Sequence, residues 1–282
     1  MEKLVVIGLG LIGGSLALDL KKREGYKVYG IDQNPEHIKK ALALGIIESA
    51  IDFSQLADAS VIIIAVPVNK IPEVTLKVLD VVSEDTLVFD VGSVKNEICK
   101  AIENHSKRKN FVAAHPLAGT EFSGPEAAIF DLFDHKVAIL CETDKCNWKI
   151  LDKSISLFKK LNMHIKMMNP VEHDRHIAYV SHLSHVSSFM LGKTVLEIEK
   201  NEQYIFDMAS TGFASTVRLA KSASSTWTPI FLQNKENVIR SLEEYIKNLN
   251  EFKEMIENDD EEGLNKSMNN TNYIRTILNG IK

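Results

Sequence analysis

Cysteine is scarce in this chain: only three are present among 282 residues, and no two of them have the CxxC spacing. An odd number without that spacing predicts neither a disulfide framework nor a zinc site. We therefore expect Cys99, Cys141 and Cys146 to be reduced thiols with mostly structural roles.

Long apolar runs are also absent. The longest aliphatic run covers residues 61–66, whereas about 20 apolar residues are needed to cross a bilayer. The first strand signal begins almost at the N-terminus and leaves no room for a signal peptide. These observations predict a cytoplasmic protein.

No charge of one sign dominates. The net charge of −5, from 33 basic and 38 acidic residues, gives no electrostatic reason to expect nucleic acid or an anionic membrane as a partner. An anionic small-molecule substrate must then be held by local cations. The length and the 45% of hydrophobic residues are typical of a globular protein with two domains.

The most informative stretch is a glycine motif near the N-terminus. Gly8, Gly10 and Gly13 fit the pattern GxGxxG between an aliphatic run at residues 4–7 and a helical pattern that follows. Gly8 allows the tight turn, Gly10 leaves room for a pyrophosphate, and Gly13 allows close packing of helix and strand. The phosphates then meet free N–H groups at the helix N-terminus. This order of elements predicts a dinucleotide site.

An acidic residue ends the next predicted strand. Asp32 is placed to accept hydrogen bonds from the ribose hydroxyls and to repel a 2′-phosphate, and no arginine follows it at Gln33 or Asn34. NAD is therefore predicted in preference to NADP. The residues expected to bind the cofactor are Gly8, Leu9, Gly10, Leu11, Ile12, Gly13, Asp32, Val66, Pro67 and Ser93.

Strand and helix patterns alternate as far as residue 169. This alternation predicts an α/β fold with a doubly wound parallel sheet of the Rossmann type. Ligands of such sheets bind beyond the carboxyl ends of the strands, where Gly8, Pro67, Ser93 and His115 fall. The predicted strands cover residues 4–7, 27–31, 61–66, 86–91, 111–114, 136–141 and 164–168.

The pattern becomes helical throughout from Pro170. The predicted domains are therefore residues 1–169, which bind the dinucleotide, and an all-helical domain of residues 170–282. We expect one long helix over residues 171–200, interrupted if at all near Gly192. Further helices are predicted over residues 206–221 and 227–256, with a last helix ending near Leu278.

Four histidines begin the helical domain with two HxxH spacings, which invites comparison with a metal site. At about 100° per residue, His173 and His176 lie roughly opposite His182 and His185 on one helix, so one ion cannot easily bind all four. No metal is predicted. From periodicity alone, His182 and His185 are read as hydrogen-bonded core residues, Arg218 as a solvated surface arginine and Trp227 as core or an interface anchor.

Five motifs in this order resemble the prephenate and arogenate dehydrogenases of tyrosine biosynthesis, and the resemblance spans nearly the whole chain. They are GLGLIGGS at residues 8–15, DVGSVK at 90–95, HPLAGTEFSG at 115–124, SHLSH at 181–185, and GFASTVRLAKS with STW at 212–227. The resemblance implies an NAD-dependent oxidative decarboxylation that makes a cyclohexadienol ring aromatic. It also implies a homodimer formed through the helical domain.

The resemblance assigns roles to particular residues. It implies that His115 polarises the ring hydroxyl, with Ser93 beside that hydroxyl and the nicotinamide. A neutral imidazole is suited to this task. The residues implied to bind or order the substrate are Glu121, Ser181, His182, His185, Arg218 and Trp227, the last of them from the partner subunit.

Several alternatives stay open at this stage. Prephenate and arogenate differ only by a keto or amino group, and prephenate is taken as the substrate. A hydroxyacid dehydrogenase that uses Lys221 and a non-catalytic NAD-sensing module are the rival functions. The chain is expected to have no room for a fused mutase or a dedicated regulatory domain, and competition by tyrosine at the active site stays an open alternative.

Overall fold

The structure, a computed structural model, describes residues 1–200 and 204–278. By packing, the chain divides into two compact units, Met1–Asn234 and Lys235–Lys282. The predicted division after residue 169 follows secondary structure and stays a prediction. No helix within the described ranges combines the length and the hydropathy needed to cross a bilayer.

The described residues of the first unit form one sheet of eight strands. The strand order is β3-β2-β1-β4-β5-β6-β7-β8, and every adjacent pair is parallel except β6 and β7. The α/β prediction is therefore confirmed, with a sheet that is mostly parallel. The strands are β1 (Lys3–Ile7), β2 (Lys27–Ile31), β3 (Ser49–Ala50), β4 (Val61–Ile64), β5 (Leu87–Asp90), β6 (Phe111–Pro116), β7 (Val137–Cys141) and β8 (His164–Met168).

Two details of the sheet differ from the prediction. The strand β7 runs antiparallel, because the segment between β6 and β7 contains only a short 3₁₀ turn, Pro125–Ala127, and no crossover helix. A parallel connection usually needs such a helix. The strand β3 was missed because two residues carry no periodic signal.

Helices cover both faces of the sheet. On β1 to β6, successive strand residues point to opposite faces: Val6 and Phe89 pack with α1, α2 and α5, whereas Val5 and Ile62 pack with α3 and α4. Both faces are therefore dry, which explains the nearly continuous aliphatic strands. The helices are α1 (Leu11–Glu24), α2 (Pro35–Ala43), α3 (Ile71–Val81), α4 (Asn96–Ala101) and α5 (Trp148–Lys160).

The strand order reverses direction between β1 and β4. Neighbouring connections leave these two strands on opposite sides of the sheet, so a crevice forms beyond their carboxyl ends. The loops after β1, β4, β5 and β6 all lie along this edge. They carry Gly8, Pro67, Ser93 and His115, as the sequence predicts.

The long helix predicted over residues 171–200 is present with a π-helical segment inside it. The helix α6 (Pro170–Ile177) continues through the π segment Ala178–His182 into α7 (Leu183–Glu199). The interruption expected near Gly192 is wrong, because that residue lies inside α7, where a glycine costs only about 1 kcal/mol.

The next two predicted helices are broken into shorter pieces. Residues 206–221 form α8 (Thr211–Thr216) between short 3₁₀ turns, and the predicted helix 227–256 is interrupted at Asn234 after α9 (Ser224–Gln233). The buried Asn234 amide donates to the Asp174 carbonyl oxygen at 2.7 Å, which no sequence period reports.

The second unit is helical where it is described. It contains α10 (Lys235–Glu257), α11 (Glu261–Thr271) and α12 (Ile274–Leu278). An acidic turn at residues 258–260 separates α10 from α11, and the Asp260 side chain caps α11 by accepting the Gly263 N–H at 2.9 Å. The last predicted helix therefore consists of two, and the final four residues of the predicted domain lie outside the described residues.

Candidate active site

The glycine loop has the geometry of a phosphate site. Gly8 has φ +98°, and an added Cβ would lie 2.4 Å from the Ala65 carbonyl oxygen. A Cβ at Gly13 would lie 2.0 Å from the Gly8 carbonyl oxygen, so this position also admits only glycine. Apart from the two adjoining residues, no described atom lies within 4 Å of a Cβ added at Gly10, which leaves open space at the N-terminus of α1. The first N–H groups of that helix have no partner within the helix.

Asp32 is anchored next to this loop. Its Oδ2 accepts the Leu9 N–H at 2.8 Å and its Oδ1 accepts the Asn34 N–H at 2.8 Å, and 9% of its side chain is exposed. His37 Nδ1 lies 3.3 Å from Oδ2. The carboxylate therefore has a defined position at the end of β2. The contact between His37 and Asp32 was not predicted from the sequence, although His37 lies in the first turn of α2, only five residues after Asp32.

Two other predicted cofactor residues follow β4. An added Cβ at Gly8 would lie 3.0 Å from the Val66 nitrogen, so the loops after β1 and β4 are in contact. Pro67 begins the turn Val68–Lys70 that leads into α3. The turn residues thus border the glycine loop, while Leu11 and Ile12 form the first turn of α1.

The turn between β5 and α4 is held by a buried ion pair. The Lys95 ammonium binds the Asp90 carboxylate, and both side chains are fully buried. Lys95 Nζ also donates to the Ala114 carbonyl oxygen at 2.8 Å, and Asp90 accepts the N–H groups of Gly92 at 2.9 Å and Ala114 at 3.3 Å. These bonds connect the turn to β6 immediately before His115.

Ser93 lies in that turn. Its Oγ is buried and has no hydrogen-bond partner among residues 1–200 and 204–278. A buried hydroxyl without a protein partner is unusual, because such a group loses its hydrogen bonds to water. Ser93 is therefore a candidate for a bond to a ligand.

His115 is linked to two residues of α6. Its Nδ1 lies 2.9 Å from His173 Nε2, and the two rings meet edge to face. His173 Nδ1 in turn lies 2.7 Å from Asp174 Oδ1. The two Asp174 carboxylate oxygens also accept the N–H groups of Lys95 at 2.8 Å and Asn96 at 2.9 Å. The result is a buried chain of three polar side chains from His115 into α6.

Burial favours the neutral form of His115, which is 8% exposed. Desolvation lowers its pKa well below the usual value, and the charge of Lys95, together with the charges that His173 and His182 would carry if protonated, lowers it further. The ring is therefore neutral at pH 7 and has one nitrogen, Nε2, outside the bond to His173.

His173 is not where the sequence places it. The expected position opposite His182 is wrong, because both residues are buried and both lie close enough to His115 to affect its pKa. The π segment between them inserts about one residue into the helical turn, which rotates the following residues by about 100°. His176, one turn after His173, is exposed as expected.

His182 lies in the π segment and is fully buried. Its Nδ1 lies 3.2 Å from Asn234 Nδ2, whereas its Nε2 has no hydrogen-bond partner in the described part of the chain. Burial lowers its pKa to about 4. The ring is therefore neutral, and its Nε2, like the Ser93 hydroxyl, is a buried polar atom without a hydrogen-bond partner among the described residues.

His185 stacks on Trp227. The ring centroids lie 3.4 Å apart with an interplanar angle of 24°. His185 Nδ1 lies 2.9 Å from the Ser181 carbonyl oxygen, and burial lowers its pKa. Trp227 thus contacts its own chain, and its predicted approach to a partner subunit's site stays a prediction.

Arg218 and Glu121 come together from distant parts of the chain. Arg218 Nη1 lies 3.6 Å from Glu121 Oε2, and 55% of the arginine side chain is exposed. The turn that carries Arg218 is fastened to α7, because Ser188 Oγ donates to the Thr216 carbonyl oxygen and accepts the Ala220 N–H. The predicted substrate residues thus provide one cation beside the loop after β6.

Metal ligands are not grouped in this site. Within the described ranges no three His, Cys, Asp or Glu side chains are close enough to hold one ion. The three cysteines are unpaired, and burial raises the pKa of Cys99 and Cys141, the latter to about 12. The reactive groups of the site are therefore imidazoles, a hydroxyl, a carboxylate and a guanidinium.

Models of one protein family match almost the whole chain. Residues 16–167 match "Prephenate dehydrogenase, nucleotide-binding domain", and residues 169–270 match "Prephenate dehydrogenase, dimerization domain". The prephenate dehydrogenase of Bacillus subtilis is 32% identical over 272 residues, which cover 93% of this chain and 72% of that protein.

Solved structures agree with this match. The prephenate dehydrogenase of Aquifex aeolicus, in complex with hydroxyphenyl propionate and NAD⁺, superposes with a TM-score of 0.90 at 35% identity and covers 99% of this chain and 98% of that one. Synechocystis arogenate dehydrogenase gives a TM-score of 0.78 at 29% identity, with coverages of 98% and 99%. The resemblance drawn from the five motifs is confirmed.

Proposed function

This chain belongs to the prephenate dehydrogenase family, and on that premise we propose that it catalyses the NAD-dependent oxidative decarboxylation of prephenate to 4-hydroxyphenylpyruvate. The observation that carries the proposal is the neutral, buried His115 at the carboxyl edge of the sheet, beside the turn that holds Ser93. The hydroxyphenyl propionate bound by the Aquifex aeolicus relative is an acid with the same aromatic ring as the proposed product.

The loop after β1 fits NAD. The open space over Gly10 and the N-terminus of α1 suit a pyrophosphate, and the Asp32 carboxylate suits a ribose diol. When bound, NAD accepts a hydride from the carbinol carbon of the substrate ring. We assign Gly8, Leu9, Gly10, Leu11, Ile12, Gly13, Asp32, Val66, Pro67 and Ser93 to its site.

His115 is the proton acceptor in this proposal. The ring hydroxyl loses its proton to His115 Nε2 as the carbon is oxidised, while the bond to the leaving carboxylate breaks and carbon dioxide departs. The electron pair of that bond completes the aromatic ring, and the phenolate oxygen then takes the proton back from His115. A neutral imidazole is required, and the low pKa of His115 provides it at pH 7. The Ser93 hydroxyl, which has no hydrogen-bond partner among the described residues, donates to the same substrate oxygen.

Arg218 binds a substrate carboxylate. Its planar guanidinium suits a bidentate bond to a carboxylate, and its 3.6 Å pairing with Glu121 limits its orientation. We place the substrate side chain near Ser181, His182 and His185. Trp227 then bounds this end of the site through its stacking on His185.

We also propose a homodimer formed through the helices. The support is a set of large apolar side chains exposed on single helices and the match to a dimerization domain. On α10 these side chains recur at helical spacing. They are Ile239, Ile246, Leu249, Phe252 and Ile256. Size-exclusion chromatography with light scattering tests this state directly.

Arogenate is a second candidate substrate, and one observation favours it. A carbonyl oxygen accepts hydrogen bonds only, so His185 Nδ1 must donate to the Ser181 carbonyl, and the neutral ring then presents a lone pair at Nε2. An ammonium group of arogenate donates to such a lone pair, whereas the keto group of prephenate does not.

The test is NADH or NADPH formation by the purified protein with prephenate and with arogenate, each with NAD and with NADP. Turnover of prephenate with NAD supports the proposal. Faster turnover of arogenate would make arogenate the substrate instead. Turnover of neither substrate overturns the assignment. Small hydroxy acids, tested in the same assay, then address the hydroxyacid dehydrogenase that would use Lys221.

A further inference from the structure

His173 and Asp174 are not among the predicted cofactor, catalytic or substrate residues, and His173 bonds directly to His115. We propose that they are positioning residues, which hold His115 in the tautomer with an unprotonated Nε2 and balance the charge it gains. This inference rests on the proposed role of His115 as proton acceptor. Its basis is the chain of hydrogen bonds from Asp174 through His173 to His115.

The direction of the hydrogen bonds follows from Asp174. A carboxylate only accepts hydrogen bonds, and the two oxygens of Asp174 already accept the backbone N–H groups of Lys95 and Asn96. The His173 nitrogen 2.7 Å from Oδ1 must therefore carry a hydrogen. A neutral His173 then has its lone pair on Nε2.

The tautomer of His115 is the consequence. The lone pair of His173 Nε2 lies 2.9 Å from His115 Nδ1, so Nδ1 must be the donor. Neutral His115 then has its lone pair on Nε2, the only nitrogen left to accept a proton from a substrate. If His173 Nε2 donated instead, Nε2 of neutral His115 would carry a hydrogen and would be useless as a base. The same logic explains why the buried aspartate of a serine protease triad orients its histidine.

Charge balance gives the pair a second effect. When His115 accepts a proton, its Nδ1–H still donates to His173, and the negative Asp174 lies one ring further on. The Asp90 carboxylate is already paired with Lys95, so Asp174 is the carboxylate left to offset the new charge. Among the described residues, the titratable groups that act on His115 directly are Lys95, His173 and His182, while Asp174 bonds to His173 and Asp90 to Lys95.

Asp174 also has a structural role, because it caps α4 through two backbone N–H groups. His173 is therefore the better position to test. In a His173→Gln variant the side-chain oxygen reaches the place of Nε2 and accepts from His115, whereas His173→Leu removes the acceptor at similar volume. His176→Gln on the same helix, at an exposed position, is the matched control.

We expect His173→Leu to lower kcat by roughly 10²-fold or more, with the KM values for NAD and substrate within about threefold of the wild type. His173→Gln should recover most of the loss, and His176→Gln should change nothing. The His115→Asn/His173→Leu double variant should be no slower than His115→Asn alone, because His173 acts only through His115. The inference is overturned if kcat is normal in His173→Leu. It is also overturned if the double variant loses kcat by the product of the two single-variant losses.

A measurement without turnover separates this inference from the proposed function. Nitrogen NMR of the ¹⁵N-histidine-labelled protein reports which ring nitrogen carries the hydrogen, and the His115→Asn variant assigns the signal. We expect a protonated Nδ1 and a bare Nε2 in the wild type, and a mixture of tautomers in His173→Leu. A hydrogen on Nε2 in the wild type overturns the inference even if prephenate is oxidised. The expected tautomer in a protein that oxidises neither substrate would overturn the function alone.

Discussion

At the scale of single residues, the site depends on polar atoms that the fold buries without giving them a protein partner. The Ser93 hydroxyl and His182 Nε2 are such atoms within the described residues, and His115 keeps one ring nitrogen outside its bond to His173. Burial keeps both histidines neutral by lowering their pKa values. Neutral nitrogens are what a hydroxyl oxidation needs, because a protonated imidazole accepts no proton.

The first prediction concerns His115. Replacing it by Asn should lower turnover by roughly 10²-fold or more and leave NAD binding intact, because the base is lost while the glycine loop is untouched. Steady-state kinetics and titration of NAD by protein fluorescence measure the two effects. Near-normal turnover would remove His115 from the mechanism.

The second prediction concerns Arg218. Its replacement by Ala should cost on the order of 2 to 4 kcal/mol of substrate binding, seen as a raised KM, because a charge pair with the substrate carboxylate is lost. Lys221→Ala, an exposed lysine in the same turn, is the control and should leave KM unchanged. If Lys221→Ala abolishes turnover instead, the hydroxyacid dehydrogenase is favoured.

The third prediction concerns cofactor choice. Asp32→Asn keeps an acceptor for the Leu9 N–H but removes the charge that repels a 2′-phosphate. We expect kcat/KM for NAD to fall by about tenfold, or about 1.4 kcal/mol, and the preference for NAD over NADP to narrow. An unchanged ratio of the two kcat/KM values would mean that Asp32 does not select the cofactor.

At the scale of elements, buried polar contacts hold the loops that carry the site. The segment between β6 and β7 is fastened to one stripe of α1, because Ser15, Asp19 and Arg23 follow one another at four-residue spacing. The Ile129 N–H donates to Ser15 Oγ at 3.0 Å and the Asp131 N–H to Asp19 Oδ1 at 2.9 Å. Arg23 binds the carboxylates of Asp131 and Asp134. The helix that begins at the glycine loop therefore also orders the segment that follows His115.

The fourth prediction concerns the turn that carries Ser93. Lys95→Met leaves the Asp90 carboxylate buried without its cation, and we expect a loss of about 3 to 5 kcal/mol in the free energy of unfolding. Lys100→Met on α4, an exposed lysine, should cost less than about 1 kcal/mol. Urea unfolding at a fixed protein concentration measures both. Equal losses in the two variants would contradict the importance of the buried pair.

At the scale of the whole molecule, the buried histidines make stability depend on pH. Desolvation places the folded pKa values of His115, His182 and His185 below 6.5, the usual value that applies in the unfolded chain. Between the folded and unfolded pKa values the unfolded chain binds more protons, so the folded state loses stability as pH falls. Above about pH 6.5 these groups are neutral in both states and contribute no further change.

The fifth prediction follows from that sign. The free energy of unfolding should decrease as pH falls from about 6.5 towards 5, and His182 alone should account for about 2 kcal/mol of the loss at pH 5. Urea midpoints measured across this range test it. His182→Gln, which keeps a polar side chain without titration, should reduce the slope, and an unchanged slope would mean that His182 is not buried as described.

Much of this protein follows from the sequence alone, because it rests on local signals. Short strand patterns predicted seven of the eight strands, and the strands buried on both faces, such as β1 and β4, gave the clearest signal because they are apolar almost throughout. The glycine spacing and Asp32 predicted the dinucleotide loop, because backbone clearance and a terminal carboxylate are properties of a few adjacent residues. Five motifs identified the family, and within them stand His115, Ser93, His185 and Arg218.

Only the tertiary structure decided how distant residues meet. The direction of β7 depends on a connection without a helix, and no residue in β7 encodes it. The predicted angle between His173 and His182 around the helix axis was wrong, because the π segment Ala178–His182 rotates the residues that follow it. The pairing of His173 with His115 joins residues 58 positions apart. The periodicity of apolar residues shows which face of a helix or strand is buried, but it does not show which residue of another element lies against that face. Packing alone determines that His173 lies against His115, and in our proposal this contact sets the tautomer of His115.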